Sequence, residues 1–218
     1  VKYIQFDGVN SSCEVFFNGK SITKHDGGYS TFRAELKDIK DENLIVVAVD
    51  NSSNQRVYPQ NADFTFYGGI YRDVKLIGVA EKHFDLDYYG SPSIMVTPEI
   101  KGADAEVTIK TYINDDDDCK VKYEIIADGK VIAETTEDED DKAKITINNV
   151  HLWNGIKDPY LYTAKATLIY KGEEVDEIST RFGCRSFKVD PEKGFFLNGE
   201  SYPLAAAFGA GLNINRYR

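Results

Sequence analysis

The chain has 218 residues, 42% of them hydrophobic and 28% charged, which suits one large domain or two smaller ones and excludes disorder, a collagen-like repeat or a disulfide-stapled peptide. Tyr (14) and Phe (12) far outnumber Met (1) and Trp (1), a balance that favours pleated, half-buried surfaces over helices and sets an all-β expectation. A net charge of −10 repels phosphate backbones and anionic lipid, so nucleic acid and membranes are excluded as expected partners.

In chain order, Cys13 to Phe17 reads as a strand closed by the turn pair Asn18-Gly19. Phe32 to Ile39 has room for a short helical turn. Leu44 to Val49 is the longest apolar run, far below the roughly 18 residues of a membrane span. A domain boundary is expected between residues 82 and 83, after the segment YRDVKLIGV. Beyond it, residues 107–113, 143–149 and 162–170 alternate apolar and polar side chains, the period of strands with one buried face. Asp128-Gly129 and Lys171-Gly172 supply hairpin turns between such strands. Residues 83–188 therefore read as an immunoglobulin-like sandwich without the Cys and Trp spacing of antibody domains. Residues 195–204 form one more Asn-Gly hairpin, and residues 205–218 are an atypical tail expected to pack poorly.

The acidic tracts Asp115 to Asp118 and Glu137 to Asp141 lie between strands and read as solvated turns; the first lacks the Gly and terminal Glu of a calcium loop. Cys13, Cys119 and Cys184 are odd in number and without metal-type spacing, which points away from a disulfide framework and favours a cytoplasmic over a periplasmic setting. The chain starts at Val1 without an initiator Met, so the lack of a leader carries no information on targeting. His25, His83 and His151 fit packing or surface roles, and Gly68-Gly69, followed by no Lys, fits a tight turn rather than a phosphate loop. Trp153 is expected in the sandwich core, and Arg72 with Asp73 as an ion pair or a packing contact.

Several segments occur together and in order: FDGV (6–9), VFFNGK (15–20), HDGGYSTF (25–32), ENLIVVAVDN (42–51) and DFTFYGGIYRDV (63–74). They resemble β-galactosidases of glycoside hydrolase family 2. HLWNGIKDPYLYTA (151–164) resembles that family's immunoglobulin-like domain, and RFGCRSFKVDPEKGFFLNGESYPL (181–204) resembles its passage into a catalytic (β/α)₈ barrel. The resemblance implies an all-β chain: a truncated jelly-roll-like β-sandwich over residues 1–82, an immunoglobulin-like β-sandwich over 83–188, and the start of the barrel over 189–204. It places both catalytic glutamates in the barrel, so no residue here is assigned a catalytic role and the chain alone is expected to be inactive.

By the same resemblance, Asp63 corresponds to a loop Asp that touches the sugar and a bound cation, with Na⁺ or Mg²⁺ implied in an intact parent and no cofactor in this chain. A carboxylate accepts sugar hydroxyls and ligates hard cations, so both roles are chemically sound; the plain alternative is a turn-capping Asp before Phe64. The expected function is therefore the non-catalytic portion of a glycosidase acting with retention on terminal β-galactosides. Its partners would be a carbohydrate, a catalytic barrel and, through unpaired sheet edges, a second copy. The alternatives are a free-standing carbohydrate-binding or adhesion module and a small intact enzyme.

Overall fold

The computed structural model describes residues 1–57, 63, 65–138 and 142–202; the expected tail from Ala205 onward lies outside the described residues, as does part of the second acidic tract. The described residues contain strands and turns but no helix. The chain divides into two compact units: Val1–Ser93 with Ile113–Asp115, and Ile94–Tyr112 with the residues from Asp116 onward.

The first unit holds β1 (Lys2–Phe6), β2 (Val9–Asn10), β3 (Ser12–Phe17), β4 (Lys20–Asp26), β5 (Phe32–Glu35), β6 (Ile45–Asp50), β7 (Gly69–Ile70) and β8 (Val74–Gly78). Two three-stranded antiparallel sheets, β5-β1-β8 and β4-β3-β6, form it, with the two-stranded pair β2-β7 beside them. Its core is built by alternation: Cys13, Val15 and Phe17 from β3 meet Ile4, Phe6, Phe32, Ala34 and Leu36. The helical turn expected over residues 32–39 is a strand in its first half. Phe32, Ala34 and Leu36 are buried while Arg33 and Glu35 are only partly so, a period of two that a helix could not satisfy.

The second unit holds β9 (Ile94–Lys101), β10 (Asp104–Thr111), β11 (Cys119–Ala127), β12 (Lys130–Asp138), β13 (Lys142–Ile147), β14 (Tyr162–Tyr170), β15 (Glu173–Phe182), β16 (Phe187–Asp190), β17 (Gly194–Leu197) and β18 (Glu200–Ser201). A three-stranded sheet, β13-β10-β9, and a four-stranded sheet, β12-β11-β14-β15, form the immunoglobulin-like sandwich, and β16-β17-β18 make a small separate sheet. The β11–β12 hairpin turns through Asp128 (φ 50°) and Gly129 (φ 75°), with Ala127 paired to Lys130, the two-residue left-handed turn that the sequence calls for. Val107, Ile109, Ile125, Ala164 and Leu168 are fully buried. Within this core the Tyr123 hydroxyl and Thr111 Oγ1 satisfy each other at 2.9 Å, which removes the cost of burying either alone.

Candidate functional site

The loop that carries Asp63 leaves β6 and returns at β7. Its first residues are tied down one by one. Ser52 N donates to Asp50 Oδ1 (2.8 Å), a bond that also holds the Asp50 carboxyl below its ordinary range. Asn51 Nδ2 donates to Phe66 O (3.2 Å), and Asn54 Nδ2 donates to Ser12 Oγ (2.9 Å) and Asp26 Oδ1 (3.0 Å). Arg56 Nη2 meets the other Asp26 oxygen at 2.7 Å. At the returning end, Asn10 Nδ2 donates to Tyr67 O (2.6 Å), and Asn10 pairs with Gly69 across β2 and β7. Asp63 itself is exposed, and it is the only acidic residue between Asn51 and Gly68.

A second segment, Gly27 to Thr31, lies beside this loop. Gly27 N donates to Ser11 O (2.8 Å). His25 Nε2 sits 3.0 Å from Gly27 O and 3.1 Å from Ser30 Oγ; the carbonyl can only accept, so Nε2 carries the hydrogen. The imidazole stacks on Phe32 at 4.2 Å between centroids, and burial lowers its pKa. At Gly28 a Cβ would fall 2.5 Å from Asn10 Oδ1, so the backbone approaches the Asn10 amide as closely as only glycine allows.

The Tyr71 hydroxyl donates to Gly28 O, and its ring meets Tyr29 edge-to-face at 6.4 Å. Arg72 lies over the Tyr71 ring at 5.1 Å and donates from Nη1 to Tyr29 O (3.1 Å) and Asp7 O (3.4 Å). Of the two roles expected for Arg72 and Asp73, an ion pair or a packing contact, the contacts seen are of the second kind for Arg72, which serves backbone carbonyls, while Asp73 faces Lys75 at 4.0 Å.

The sequence singled out Asp63 for a role that no contact among the described residues tests; the contacts of Asn10, Tyr29 and Tyr71 near its loop were not legible in it. Their partners lie 43 to 57 residues away along the chain, and the local signals, a Val-Asn dipeptide and a Gly-Gly-Tyr run, are too common to mark a site. The remaining candidates lie elsewhere. His83 is buried against Tyr3, and His151 stacks on Tyr160 (4.0 Å) while its Nε2 meets Asp158 Oδ2 at 2.7 Å. Trp153 does not fill the core: it is half-buried, with the Arg185 guanidinium 4.7 Å from its ring and its Cβ and Cγ close against Gly183. Asp87 is raised by burial, then by Asp85 and Glu35. Its loop is a packing element, held to β5 by Arg33 Nη1 donating to Leu86 O (2.8 Å) and Ser91 O (3.2 Å).

Residues 1–80 match the sugar binding domain of glycosyl hydrolases family 2, and residues 92–185 match a second domain of glycosyl hydrolases family 2. The chain belongs to this family. A β-glucuronidase of Bacteroides fragilis is 33% identical over 93% of the family 2 chain, which covers 31% of that protein. A β-galactosidase of Thermoanaerobacter pseudethanolicus is 28% identical over 93%, with 28% of its own length covered. Among solved structures, the FMN-binding β-glucuronidase of Faecalibacterium prausnitzii superposes with a TM-score of 0.86 at 38% identity, covering 93% of this chain and 32% of that one. The chain thus spans about a third of the length of these relatives and corresponds to their non-catalytic N-terminal domains. A (β/α)₈ barrel takes about 250 residues and eight helices, and the described residues hold no helix.

Proposed function

We propose that the two units are the supporting part of a retaining β-glycosidase and that the Asp63 loop closes over the sugar held by a separate catalytic barrel. The match of residues 1–80 to a sugar binding domain, with the Asp63 loop pinned at both ends within that span, carries this reading. Retention needs two carboxylates about 5 Å apart. The barrel would supply them. Asp63, exposed, would accept hydroxyl hydrogen bonds from the sugar. A Na⁺ or Mg²⁺ ion would find a single carboxylate in this loop, short of the six or so oxygens a hard cation takes, so its remaining ligands would come from the barrel.

For the substrate, the Asp63 segment supports a terminal β-galactoside. A terminal β-glucuronide is the second reading, favoured by the names of the relatives at 33% and 38% identity. The test is turnover of nitrophenyl β-galactoside and nitrophenyl β-glucuronide by this chain alone and by the chain joined to the rest of its reading frame. The isolated chain is expected to be inert on both and the longer protein active on one. Turnover by the isolated chain that survives repurification would overturn the supporting role.

A further inference from the structure

We propose that Tyr29, braced by Tyr71 and Arg72, is a stacking platform for an additional pyranose ring, so that this unit recognises an oligosaccharide rather than a lone terminal sugar. The inference deepens the sugar-binding reading above and rests on it. Tyr29 keeps 58% of its surface in solvent, although it stands in a segment with little freedom. Arg72 holds its carbonyl, Tyr71 meets its ring at 6.4 Å, and the Tyr71 hydroxyl is bonded to the neighbouring Gly28 carbonyl. The segment is pinned again by His25 at Gly27 O and Ser30 Oγ.

A ring held this way has already lost its conformational freedom. Binding therefore loses little further entropy, which is the advantage of rigid tyrosines at recognition surfaces. The electron-rich face of a tyrosine attracts the slightly positive C–H face of a pyranose, and the sugar's hydroxyls remain free for polar partners around it. The base under the platform is fixed as well: Asn10, itself buried, lies so close to Gly28 that a Cβ there would meet its Oδ1, and it donates to Tyr67 O at the return of the Asp63 loop. The carbohydrate is chosen over an apolar protein partner because residues 1–80 match a sugar binding domain.

The test uses the 218-residue chain and titrates galactose, lactose and a β-linked galactotriose by calorimetry and ligand-observed NMR. The platform predicts tighter binding of the di- and trisaccharide than of the monosaccharide. Tyr29→Ala should abolish that increment, weakening the longer ligands by about tenfold, while Tyr29→Phe retains it. Tyr89→Ala, at a residue 89% exposed in another loop of the same unit, serves as the control and should change nothing. Unfolding curves check the fold of Tyr29→Ala, whose midpoint is expected to stay close to that of the parent chain. Equal affinity for all three sugars, no binding of any, or a Tyr29→Ala variant that keeps the increment would each overturn the platform. The supporting role stands or falls separately, on turnover by the longer protein.

Discussion

Gly28 shows how one missing side chain holds two segments together. Asn10 cannot retreat from a new Cβ because its amide is bonded to Tyr67 O at 2.6 Å, and a Cβ on Gly28 would lie 2.5 Å from Asn10 Oδ1. Gly28→Ala is therefore expected to lower the stability of the first unit by roughly 1–3 kcal/mol, the usual cost of forcing extra volume into a packed site. Urea unfolding measures it, and a wild-type midpoint would refute the close approach. The buried thiols make a second residue-scale prediction. Burial pushes Cys13 and Cys184 up to about 11, whereas an unfolded thiol ionises near 8.5. Between those values the unfolded chain has released protons that the folded chain keeps, so the thiols' contribution to stability is level below pH 8 and falls as pH rises towards 11. Tyr3, pushed up to about 12, continues the loss beyond that. Cys184→Ala should make the decline between pH 8 and 10.5 shallower by roughly 1–2 kcal/mol. An unchanged slope would mean that the thiol does not titrate as its burial requires.

At the scale of elements, legibility followed periodicity. Residues 162–170 became β14 and residues 107–113 overlap β10 because strict alternation, with Ala164, Ala166, Val107 and Ile109 on one face, admits no other structure. Phe-Arg-Ala-Glu-Leu over 32–36 was ambiguous: four or five residues satisfy helical and strand spacings alike, and only pairing with β1 decides. Trp153 was misplaced because an aromatic beside Leu152 looks like core until Arg185 is found over its ring. The same burial pattern orders the strands by stability. β10 and β14 are flanked on both sides within their sheets, whereas β6 and β8 each end a sheet among the described residues. Amide exchange is therefore expected to be slowest in β10 and β14 and markedly faster along β6 and β8. Equal protection of the two sets would contradict the sheet orders.

The first unit, taken as a whole, is open along one side of its sandwich. Residues directly opposite in neighbouring strands share a face, so Ile45 opposite Phe17, Val74 opposite Phe6 and Leu76 opposite Ile4 all point towards the core. Yet their β3 and β1 partners are buried, while Ile45 is 38%, Val74 46% and Leu76 68% exposed. Core-directed apolar side chains on two edges that are unpaired among the described residues, with Lys75 as the only charge along β8 and Asp50 the only one along β6, form a template for added strands. We predict that the isolated chain self-associates through these edges. Sedimentation should show a concentration-dependent monomer–dimer equilibrium between about 10 µM and 1 mM, the range in which exposed strand edges meet. Leu76→Lys should suppress it, because a charge on the edge must lose its hydration before another strand can cover it. The variant removes little buried area from a residue already two-thirds exposed, so its unfolding midpoint should stay close to that of the parent chain. A chain that stays monomeric throughout that range would show that the open edge is not adhesive, and a Leu76→Lys variant that still dimerises would move the contact to another face.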